Sequence, residues 1–155
     1  MKKLLLLFIP ILFIACSDDE GENNQNSEVY GSWQFIRVDT IMDVQGDDMI
    51  QYIKDNIFVY SHAYGSTDYF TFDENGTYSH SFMKNGELTL WSGAYEAKDG
   101  YLYMVEEGTR IGRQYYMKNG ELHINSNFTE SIQSELLPGA IVKALIISSV
   151  FTRAN

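Results

Sequence analysis

Residues 68–128 read DYFTFDENGTYSHSFMKNGELTLWSGAYEAKDGYLYMVEEGTRIGRQYYMKNGELHINSNF. Four times an apolar or aromatic run meets a two-residue breaker and resumes: Asn75-Gly76, Asn85-Gly86, Asp99-Gly100 and Asn119-Gly120. Asn-Gly and Asp-Gly tolerate the positive φ that tight hairpins demand. Four such signals in one stretch predict an up-and-down antiparallel sheet.

The register follows from asking which pairing collects apolar side chains on one face. A three-residue loop with Gly76 as a left-handed bulge pairs Phe72 with Tyr78 and Phe70 with His80. Two-residue loops at the other three breakers set His80 beside Trp91, Tyr95 beside Met104, Ala97 beside Leu102, Met117 beside Leu122 and Tyr115 beside Ile124. One face then holds Phe70, Phe72, Tyr78, His80, Phe82, Trp91, Tyr95, Leu102, Met104, Tyr115, Leu122 and Ile124. The other is mostly Thr, Ser, Glu, Lys and the tyrosines 69, 101, 103 and 116. A long meander leaves edges unless it closes, so the expected fold is all-β: an antiparallel up-and-down barrel of about eight strands, with one or two short helices.

The front of the chain is of another kind. Lys2 and Lys3 precede twelve nearly pure apolar residues, Leu4 to Ala15, too few for the roughly 20 that span a bilayer. This reads as a secretory signal over residues 1–15. The single cysteine, Cys16, follows at once and cannot form an internal disulfide. Residues 17–28 are acidic and polar, without a residue to bury, so 16–28 reads as a flexible tether of about 20 Å reach. Removing the signal leaves nine basic residues against twenty-one acidic. Such a surface is a poor partner for nucleic acid.

Leu12-Phe13-Ile14-Ala15-Cys16 resembles the lipobox of Bacteroidetes-type lipoproteins, with Phe13 and Ile14 departing from the usual Leu and small residue. The resemblance implies cleavage before Cys16, its modification with fatty-acyl chains such as palmitate, and anchoring in outer-membrane lipid. The acidic run Ser17-Asp18-Asp19-Glu20 resembles the signal that sends such lipoproteins to the cell exterior.

The domain expected over 29–155 begins with a strand from Val29 to Val38, alternating Trp33 and Phe35 with Gln34 and Ile36. Its Gly31-Ser32-Trp33, followed by the aromatic meander, resembles lipocalins. That resemblance implies a barrel floor closed by Gly31 and Trp33 under an arginine of the last strand, here Arg153. Asp39 to Asp48 is polar and reads as a turn. Apolar residues at 49, 50, 53 and 57 predict a helix over Asp47–Phe58, lying over one barrel mouth. Residues 57–60 start a further strand, and 61–68 form a loop. Thr129 to Leu137 is a helical turn or a crossing loop. A closing strand runs from about Leu145 to Thr152; the segment 141–145 is compatible with helix or strand.

No Gly-x-Ser-x-Gly, His-Glu-x-x-His or phosphate-loop pattern occurs. His62, His80 and His123 do not converge in this register, so no metal site and no cofactor is expected. The inward set holds no acid, which excludes paired-carboxylate chemistry. His80 reads either as a core histidine bonded to a Tyr hydroxyl or as a polar anchor for a ligand. The candidate lumen residues are Tyr78, His80, Trp91, Tyr95 and Tyr115. The expected function is that of an outer-membrane-anchored, non-enzymatic lipocalin-like lipoprotein binding a small apolar or glycan ligand. The alternative is a surface protein-interaction module, an adhesin subunit or inhibitor, whose barrel is filled by its own side chains and whose partner is another protein.

Overall fold

The computed structural model describes residues 26–56, 68–84 and 86–155. The signal segment, Cys16, most of the tether, His62 and the elements expected at 57–67 lie outside these described residues. Eight strands close into one barrel: β1 (Gly31–Gln45), β2 (Tyr69–Phe72), β3 (Thr77–Lys84), β4 (Glu87–Lys98), β5 (Tyr101–Glu106), β6 (Thr109–Lys118), β7 (Glu121–Asn127) and β8 (Ile141–Arg153). Each pairs antiparallel with the next, and β8 returns to β1.

The register is the one that buries a single face. Phe72 lies opposite Tyr78, His80 opposite Trp91, Tyr95 opposite Met104, and Tyr115 opposite Ile124. Gly76 takes φ 79°, and Asp99 and Asn119 sit at 53° and 54°. A fifth turn has no Asn or Asp to announce it. Glu107 (φ 48°) and Gly108 (φ 81°) join β5 to β6.

Three expectations change. The polar stretch after Val38 is not a turn, because β1 continues to Gln45 along β8, from Trp33 opposite Arg153 to Gln45 opposite Ile141. A bulge at Ile36 shifts the alternation by one residue, so Val38, Thr40, Met42 and Val44 are half-buried while Asp39, Ile41 and Asp43 face out. Acidic residues at every second position are ordinary for a strand with one wet face. The segment 141–145 is strand, the start of β8. At the front, a short helix α1 (Asn26–Val29) carries the folded part back three residues before Val29, because the Trp33 indole donates to the Val29 carbonyl at 2.7 Å.

Two apolar clusters result. The larger fills the barrel where β1 begins, around Trp33, Phe70, Phe72, Tyr95, Leu102 and Leu122. The smaller lies where β1 ends and β8 begins. There helix α2 (Asp47–Asp55) buries Met49 and Ile53 against Val142, Leu145 and Ile147, together with Ile132 of a 3-10 turn at Ser131–Glu135.

Candidate functional site

The strand pairing is continuous around the end of the barrel where β1 begins and splits towards the other. β4 and β5 pair only from Tyr95–Met104 to Lys98–Tyr101. β6 and β7 pair only from Gln114–Asn125 to Lys118–Glu121. Residues 105–113 therefore have ladder partners only within the β5–β6 hairpin.

Below the split the lumen is packed. Phe70 stacks on Phe72 at 5.5 Å, and Phe72 meets Tyr95 edge-on at 4.9 Å. The Arg153 guanidinium lies 4.4 Å over the Trp33 ring, and Arg153 also donates to the Tyr30 carbonyl. A Cβ at Gly31, whose φ is 106°, would run into that guanidinium. These three residues, named together by the sequence resemblance, meet at the end of the barrel where β1 begins.

The structure also places Tyr78, Tyr95 and Tyr115 in this packed half rather than on a cavity wall. Two of their hydroxyls are committed to backbone: Tyr78 donates to the Val105 carbonyl at 3.2 Å, and Tyr95 to the Asp73 carbonyl at 3.0 Å. Burial, reinforced by the Glu106 carboxylate, pushes the Tyr78 phenol up to about 12. Burial likewise raises Tyr95 and Tyr115. Tyr78 reaches Val105 over Gly93, where a Cβ would collide with the Val105 oxygen.

Above the split a cavity of about 270 Å³ remains. Its apolar walls are Phe70, Trp91, Met104, Ile111, Ile124 and Phe151, and its polar groups are His80, Glu106 and Arg113. Of the five candidate lumen residues, His80 and Trp91 line it. It lies just under the roughly 300 Å³ at which drug-sized pockets begin, so it has room only for a small molecule. A second, shallower groove of about 510 Å³ runs outside the β6–β7 split, past Tyr101, Gln114, Asn125 and Phe128. Groove and cavity share Ile111 and Arg113.

The polar groups correct two expectations. His80 is bonded to a carboxylate, not a tyrosine: Nε2 lies 2.5 Å from Oδ1 of Asp68, and both residues are buried. A carboxylate only accepts, so the ring nitrogen donates. Asp68 is fixed in turn, since the Phe35 amide donates to its carbonyl at 3.0 Å, and the His80 ring stacks on Phe70 at 3.9 Å. The inner face is also not free of acids. Glu106 points inward and receives two bonds from Arg113, at 2.7 and 3.1 Å, with both side chains largely buried. Strand parity carries the signal for both residues, because Glu106 continues Leu102 and Met104, and Arg113 precedes Tyr115.

His123 faces outward from β7, yet Tyr116 covers it at 4.5 Å, which leaves it buried and lowers its pKa. Among the described residues, no group of three or more His, Cys, Asp or Glu is placed to hold a metal ion. No helix among them is long and apolar enough to cross a membrane.

No protein-family model matches the chain, and no curated protein does. Among solved structures, fatty-acid-binding protein 1 of Echinococcus granulosus superposes with a TM-score of 0.40 at 10% identity, covering 83% of this chain and 99% of that one. So loose a likeness carries no argument, and the closed eight-stranded barrel rests on its own strand pairing.

Proposed function

We propose that this protein is a lipid-anchored, non-enzymatic, lipocalin-like barrel that binds a small, mostly apolar molecule in the unfilled half of its lumen. The observation that carries the reading is the cavity between Phe70, Trp91, Met104, Ile124 and Phe151, with its polar groups gathered at His80, Glu106 and Arg113. Binding sites of this type bury an apolar body and orient it with a few polar contacts. A glycan fits less well, because it would leave many hydroxyls against aromatic and aliphatic walls. The described lining contains no Ser, Thr or Cys to act as nucleophile beside His80, which favours binding over catalysis.

Anchoring and placement at the outer membrane, facing the exterior, rest on the Leu12–Cys16 sequence and the acidic run after it. Native mass spectrometry of the purified soluble domain tests the binding reading. A co-purifying small molecule supports it, and a ligand-free mass that stays unchanged on incubation with lipid extracts counts against it. Cys16→Ala tests the anchor, which is refuted if the variant remains membrane-bound.

One observation favours the second reading, a surface protein-interaction module. Leu88 and Leu90 stand side by side on the outer face of β4, 71% and 67% exposed. On that reading Leu88→Asp abolishes partner capture without touching the cavity.

A further inference from the structure

We infer that the cavity selects against anions: its occupant is an apolar chain of about ten heavy atoms ending in an uncharged or cationic group, not a carboxylate. The inference rests on the binding reading above and specifies its ligand class. The size follows from about 270 Å³ of space, the volume of roughly nine liquid water molecules.

The selectivity follows from the charges already present. An anion needs a cation or several donors to replace the water it gives up on burial. Among the described lining residues the one fixed cation is Arg113, and Glu106 already engages it through both terminal nitrogens. A ligand carboxylate would have to displace Glu106 from those two nitrogens or approach Arg113 from another side, and in either case it would be a second buried anion beside the first. The Nε2 proton of His80 is not available either, because Asp68 holds it at 2.5 Å. Asp68, Glu106 and Arg113 together carry one negative charge if the His80 ring is neutral and are balanced by the ring if it is protonated. In either state an added carboxylate makes the site net negative. An amine or a hydroxyl does not. An amine can share the Glu106 carboxylate, and a hydroxyl can donate to it.

The test compares three probes that differ only in the head group: octanoate, 1-octanol and octylamine, titrated into the purified protein by calorimetry near neutral pH. The expected result is that 1-octanol and octylamine bind at least about tenfold more tightly than octanoate. Glu106→Gln keeps the shape and removes the counter-charge from Arg113, so octanoate should tighten by about tenfold or more relative to 1-octanol. Octanoate binding the unaltered protein as tightly as 1-octanol overturns the inference and leaves the cavity reading standing. So does a folded Glu106→Gln variant that gains no affinity for octanoate. Failure of all three probes to bind the unaltered protein overturns the cavity reading and this inference with it. If Glu106→Gln does not fold, the ranking of the three probes on the unaltered protein decides alone.

Discussion

The two ends of this barrel solve the same problem in opposite ways. Where β1 begins, the strands pair all the way round and apolar side chains fill the lumen, from Trp33 and Phe72 to Leu102 and Leu122. Towards the other end, the ladders of β4–β5 and β6–β7 stop early, and space remains beneath the β5–β6 tip. The polar groups divide the same way. In the filled half, tyrosine hydroxyls are spent on backbone carbonyls; in the hollow half, polar side chains are spent on each other, as Asp68–His80 and Glu106–Arg113. Packing is thus concentrated at one end, and space is left at the other.

The largest effect should come from setting the two tryptophans against each other. Trp33 is wholly buried in the packed floor, and Trp91 is partly exposed on the cavity wall. Trp33→Ala should cost about 3–5 kcal/mol in urea denaturation, the usual loss for a buried aromatic. Trp91→Ala should cost less than half as much and weaken ligand binding. Equal losses would erase the distinction between the halves.

Asp68→Ala comes next. It removes one partner of a buried pair and should cost about 3 kcal/mol if both groups are charged. Because His80 lines the cavity, the same change should also alter affinity, which Trp33 variants that remain folded should not. A smaller effect is expected at the floor, where Arg153→Met removes a guanidinium over an indole and should lower stability by about 0.5–2 kcal/mol, with ligand affinity unchanged.

The inward-facing walls of both halves were largely legible in the sequence and the charged groups of the hollow half were not, for a physical reason. Asn-Gly and Asp-Gly declare their turns through backbone conformation, and alternation then fixes which residues face in. That logic located Phe72, Tyr78, Tyr95 and Leu122. Glu107-Gly108 makes a turn of the same geometry with a residue that seldom takes positive φ, so the β5–β6 tip went unmarked. Glu106 and Arg113 are inward by parity, but each alone reads as a solvated charge; only their mutual compensation makes the inner face tolerable. Asp68 sits ahead of β2, where no periodicity applies. The aspartates of β1 suggested a turn because Ile36 bulges and shifts the alternation they belong to.

The smallest effect concerns the coat of the filled half. Burial lowers the pKa of His123 from its ordinary 6.5, with Glu121 only partly opposing the shift. The unfolded chain therefore takes up a proton before the folded one does, and stability falls as pH drops from about 6.5 towards the folded value. The Arg37–Glu121 ion pair lowers the Glu121 pKa, so its contribution fades only at still lower pH. Melting temperatures recorded from pH 7.5 to pH 5 should show the loss, and His123→Gln should flatten that part of the curve. An unchanged slope would show that the acid sensitivity arises elsewhere.

The claim that one end is filled and the other hollow can be read directly, because the chain's two tryptophans stand one in each half. Single-tryptophan variants, Trp33→Phe and Trp91→Phe, titrated with 1-octanol, report each end by its fluorescence. The account predicts a saturable change at Trp91 and none at Trp33. A saturable change confined to Trp33, or none at either while the barrel stays folded, would contradict it.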